Sequence, residues 1–100
     1  MKLKELKNIE TDLLYLEQRK FEMSFTDYVI MESYLDNIGE ITDHYIQYLT
    51  DYNEYIAHYS IEEQENKLKA KNEELLSSEI DIDVSDAKKI LEKYQEKHST

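Results

Sequence analysis

A chain of 100 residues with no cysteine, no proline, one glycine and a formal net charge of −11 is long enough for one modest core and too short for two. The missing cysteines exclude disulfides and thiolate metal sites. With almost none of the residues that punctuate strands and tight turns, an all-α fold is expected. The acidity disfavours nucleic acid and membrane surfaces as direct partners and favours a protein partner with a basic surface.

Residues 1–7 open with positive charge, but charges keep interrupting the segment and no apolar run of signal-peptide length follows. Neither secretion by such a signal nor a membrane span is expected, and the cytosol is the expected compartment. Leu6, Ile9, Leu13 and Leu16 recur at alternating three and four, with Leu3 before them and Met23 continuing the register. This spacing predicts a first amphipathic helix over about residues 2–21. Lys20 stands where the register asks for an apolar residue, so the helix should leave its partner there and turn, with Phe21 and Phe25 packed at the corner.

The organising element follows, over about residues 27–59. Three seven-residue ladders lie side by side: Tyr34, Ile41, Tyr48 and Tyr55; Leu35, Thr42, Leu49 and Ile56; Met31, Ile38, Tyr45, Tyr52 and Tyr59. Their spacings place them on one side of a single helix. Ser24 with Asp27, or Thr26 followed by Asp27, supplies its start. The register holds through Gly39, which argues for continuity despite the helix-weakening glycine.

Ser60 with Glu63 reads as a capping box opening a third helix over about residues 61–76, although a single rod running on to Leu76 is the alternative. The third helix carries a thin stripe of Ile61, Leu68, Leu75 and Leu76 among lysine, glutamate, glutamine and asparagine, as suits an outer, solvated helix. Ile80, Ile82 and Val84 then alternate with Asp81 and Asp83, the period of an extended segment over residues 79–84. No second strand pattern exists within the chain, so the segment is expected to lie across helices. Ser85 and Asp86 cap a last helix, about residues 86–97, with Ala87, Ile90, Leu91 and Tyr94 inward. The tail beyond is expected to fray.

Charge is distributed unevenly. Between residues 21 and 66 there is no lysine or arginine and there are eleven acids, while the remainder balances 12 acids with 12 bases. The excess therefore belongs to the long helix and its flanks. Residues with AT-rich codons (Phe, Tyr, Met, Ile, Asn, Lys) total 40 against 5 for Gly, Ala, Arg and Pro, a balance that fits a low-GC bacterium or a phage or plasmid within one.

Nine tyrosines invite two readings. Tyr45, Tyr52 and Tyr59 are expected to fill a core with their hydroxyls at its wet rim, whereas Tyr48 and Tyr55, at the edge of the ladders, suit an interface. His44 and His58, with Asp51 midway and Glu40 and Glu54 each four residues before a histidine, point away from the ladders. A di-metal bundle instead wants inward Glu-x-x-His motifs, so no metal or other cofactor is expected. His98, in the tail, is expected to be inert. No nucleophile elbow, catalytic cysteine or phosphate loop is present, and an enzyme is not expected.

Carboxylates one or two turns apart on a helix are ~6 to 11 Å apart, a scale comparable to backbone phosphates, so a basic groove could accept such a helix in place of nucleic acid. The expected function is a non-enzymatic acidic binding protein that inhibits a nucleic-acid-handling protein. Asp36, Glu40, Asp43, Tyr48, Asp51, Glu54 and Tyr55 form the expected partner-binding face. In charge, size and composition the chain is similar to small phage-encoded acidic inhibitors of host nucleases. The alternatives are a self-associating helical structural or regulatory subunit and a bacteriocin-immunity-type helical bundle. A homodimer is expected, because helix 1 alone is too short to cover the ladders.

Overall fold

The computed structural model describes residues 1–95, and over them the chain is all-α. Four helices, α1 (Leu3–Glu17), α2 (Phe25–Tyr55), α3 (Ile61–Leu76) and α4 (Ser85–Gln95), are joined by short connections, with a 3-10 turn at Lys20–Glu22. The expected last turn of the fourth helix past Gln95, the tail and His98 lie outside the described residues.

α2 is the spine. Its 31 residues reach ~46 Å, close to the 52 Å long axis of the molecule. The radius of gyration, 16.9 Å, exceeds the ~13 Å of a compact chain of this size, because no other helix is as long. α1 packs antiparallel against α2, with Glu10 reached by the Thr42 hydroxyl (3.1 Å) and the Lys7 ammonium 4.8 Å from the Tyr45 ring centre. α3 covers the second half of α2, where the Tyr45 hydroxyl donates to Asn72. α4 covers the first half, where Tyr94 and Lys93 meet Asp27.

The core forms where α1, α2 and α4 meet. Leu3, Leu6, Ile9, Leu13 and Leu16 supply one side, Met31, Ile38 and Tyr45 the second, and Val84, Ala87, Ile90, Leu91 and Tyr94 the third. The alternating leucine register of α1 is thus its buried face. α3 contributes no buried residue, consistent with its reading as an outer helix, and Ile56 is buried at the far end of α2 apart from the main cluster.

α2 runs unbroken through Gly39, whose φ is negative and around whose missing Cβ nothing lies within 4 Å. Ser24 caps it by accepting the Asp27 amide hydrogen at 3.2 Å. The helix does not continue to Leu76. It ends at Tyr55, four residues short of the expected Tyr59; Ile56, buried as its ladder position implies (1 % exposed), follows as the C-cap with φ −92° and ψ 9°. Gln64 then donates its amide to the carbonyls of Ala57 and Tyr59, and Ser60 caps α3 through the Glu63 amide.

Three further expectations are corrected. α1 ends at Glu17 rather than near residue 21, the chain passing through tight bonds from Arg19 N–H to Leu16 O and from Met23 N–H to Lys20 O. Lys20, ill-suited to the apolar register, sets its ammonium 5.8 Å from the Tyr28 ring centre. Phe21 and Phe25 do not bury themselves at the corner; they are 82 % and 79 % exposed and line an open pocket with Lys20, Met23 and Tyr28, while Met23 alone of the turn packs against the core. Tyr59 leaves the core ladder, since the early end of α2 takes it out of helical register; its ring is instead stacked on His58 and roofed by Lys67.

The segment at 79–84 lies across the helices as expected, with Val84 buried and Ile80 and Ile82 packed on the core. It also pairs briefly with the start of α1: Leu3 N–H donates to Ser78 O (3.0 Å), Ile80 N–H donates to Met1 O, and Lys2 and Glu79 form an isolated antiparallel bridge. This contact satisfies the first N–H of a helix that lacks a side-chain cap.

Candidate interaction surface

On α2, the positions of Asp36, Glu40, Asp43, Asp51 and Glu54 follow one another at helical spacing on the side opposite Met31, Ile38 and Tyr45. All five are exposed, and the row spans ~27 Å along the axis. Among the described residues none of the five takes part in an ion pair. Asp51 accepts a hydrogen bond from the Gln47 amide at 2.9 Å.

Tyr48 and Tyr55 flank this row and are 51 % and 74 % exposed. Together with Asp51, Tyr52 and Lys71 of α3 they line a shallow pocket of about 410 Å³. Three of the seven sequence-derived site residues are therefore brought together. Asp36, Glu40, Asp43 and Glu54 share the helix with them and line no part of that pocket.

The bases missing from α2 come from its neighbours, and they go to tyrosine rings. Lys7 of α1 stands over Tyr45, Lys71 of α3 over Tyr52 at 5.1 Å, and Lys67 of α3 over Tyr59 at 4.6 Å. Each places a cation on the negative face of an aromatic ring. Lys71 is further anchored to Glu74 at 3.2 Å, and this bond is the chief cause of an ammonium pKa above its ordinary value. The neighbouring lysines thus stand over Tyr45, Tyr52 and Tyr59, of which only Tyr45 is part of the core, and leave the outer carboxylates open. Sequence periodicity could not reveal Tyr52 and Lys71 as pocket residues, because it carries no record of which α3 residue faces which turn of α2.

Acids crowd at the lower end of the row. Glu32 is held above the ordinary carboxylate range, first by a hydrogen bond shared with Glu17 and then by burial and the neighbouring charges of Glu17 and Asp36. At the base of α2 the opposite holds. Asp27 lies below its ordinary value because Lys93 and Tyr94 both donate to its carboxylate, at 2.8 and 2.6 Å. Burial pushes the phenols of Tyr34 and Tyr45 upward.

His44 and His58 are both exposed, but they do not share a helix face as expected, since α2 ends at Tyr55 and His58 lies in the turn beyond it. Among the described residues no group of three or more His, Cys, Asp or Glu could hold a metal ion, and no helix is long and apolar enough to cross a membrane. Comparison with family models, curated proteins and solved structures gives no match for this chain.

Proposed function

We propose that this chain is a non-enzymatic binding protein whose acidic α2 face occupies a basic groove on a nucleic-acid-handling protein and so inhibits it. The observation that carries this reading is the row of five exposed carboxylates, unpaired among the described residues, with Tyr48 and Tyr55 standing exposed beside it. A face that served only to solubilise the helix would ordinarily mix both signs. Here three of the neighbouring lysines, Lys7 of α1 and Lys67 and Lys71 of α3, stand over tyrosine rings instead. The aromatic pair would anchor the complex and the carboxylates would steer it.

The test is competition. A nucleic-acid-handling partner captured from the source cell or its host should release DNA or RNA when this protein binds. Reversing Asp36, Glu40, Asp43, Asp51 and Glu54 to lysine should abolish binding and leave helical circular dichroism nearly unchanged, since all five sit on the exposed side of α2. A partner that tolerates the reversal, or that holds nucleic acid and this protein together, would refute the proposal.

A further inference from the structure

The pairings of Glu10 with Thr42 and Lys7 with Tyr45 set α1 antiparallel to α2, so the first turn of α1 reaches α2 near Leu49. Past that level the molecule is a hairpin of two helices. Where the third helix is missing, a groove of about 630 Å³ opens between α2 and α3, with Leu49 and Leu68 at its floor and Ile46, Asn53, Glu65 and Lys69 around it. Ile46 is 56 % exposed there.

We propose that a second copy of this chain docks in this groove about a two-fold axis, Glu65 of each copy facing Lys69 of the other. Charge selects this occupant. Along the outer face of α2 a second copy would meet only its own sign, whereas the groove holds one acid and one base four residues apart on α3. An axis passing near Leu68 reverses the order of that pair in the opposing copy, so acid meets base twice. Self-complementarity of this kind is what an isologous interface requires. Both side chains are available for it, since among the described residues neither Glu65 nor Lys69 takes part in an ion pair. The apolar floor gains the cover that α1 is too short to provide. The groove includes none of the five carboxylates of the acidic row, so its occupation by a second copy stands or falls separately from the inhibitor reading.

Sedimentation equilibrium of the purified chain, without any partner, tests the assignment. The wild type should show twice its 12.1 kDa mass, dissociating on dilution. E65K and K69E should each weaken association about tenfold or more, because like charges then oppose one another twice, and the double variant E65K/K69E should restore it. Ile46→Asp should give a monomer of unchanged helicity, since this side chain is already largely exposed in a single copy. A wild type that stays at 12.1 kDa into the submillimolar range overturns the proposal. So does a double variant as weak as the single ones, a result that also decides the matter if Ile46→Asp fails to fold.

Discussion

Gly39 sits in the middle of the longest helix with helical sign of φ and open space where a Cβ would stand. Nothing in its backbone requires glycine, so Gly39→Ala should stabilise the protein by about 1 kcal/mol through helix propensity and lost unfolded-state entropy. A rise in thermal midpoint of roughly 4 °C or more is the expected readout. Tyr94 is the opposite case. Buried, it donates to Asp27 and accepts the Ser24 amide hydrogen at 3.1 Å, joining α4 to the capped start of α2. Tyr94→Phe should cost about 1.5 to 3 kcal/mol in urea unfolding near neutral pH, because one of its lost bonds goes to a charged carboxylate. The pH dependence follows from Asp27, whose carboxyl lies below its ordinary 3.8 in the fold. Its contribution is present above 3.8 and disappears as pH falls through the lower folded value. The difference between wild type and Tyr94→Phe should therefore narrow in strong acid.

At the scale of elements, the molecule divides by how each helix is held. α1, α2 and α4 share the main buried cluster, whereas α3 buries no residue fully and rests on partly buried Leu75 and Leu76, the Tyr45–Asn72 bond and lysines laid over tyrosines. Each such cation contact at a partly exposed ring is worth ~0.5 to 1 kcal/mol. Hydrogen exchange should accordingly find α3 and the end of α2 beyond Leu49 opening at lower free energy than the α1 core. Equal protection of α3 and α1 would contradict this division. The existence of each element was legible from local pattern: the leucine register of α1, the three ladders of α2 and the serine caps at Ser24 and Ser60. Ends were less so. α1 and α2 stop early, at Glu17 and Tyr55, and the turns beyond them carry contacts between segments, Lys20 over the Tyr28 ring and the Gln64 amide on the carbonyls of Ala57 and Tyr59, which periodicity does not record.

For the whole molecule, an acidic protein of elongated form acts on a basic partner first through its field. If the proposed inhibitor reading holds, raising salt from about 0.05 M to about 0.5 M should slow association steeply in stopped-flow measurements, since exposed charges are screened beyond ~10 Å at 0.1 M. An association rate indifferent to salt would leave the carboxylate row without a steering role. The chain by itself determined the all-α class, the continuity of α2 and the exposure of its five carboxylates, because each depends on residue type and on a helical repeat that tertiary contacts leave intact. Pairing between helices was decided only in the folded molecule. Which tyrosines lie beneath lysines, why Phe21 and Phe25 face solvent, and where α1 leaves α2 and α3 uncovered all depend on relative shifts and rotations of helices. Those shifts are set by how side chains of different segments fill shared space, and no local repeat in the sequence encodes them.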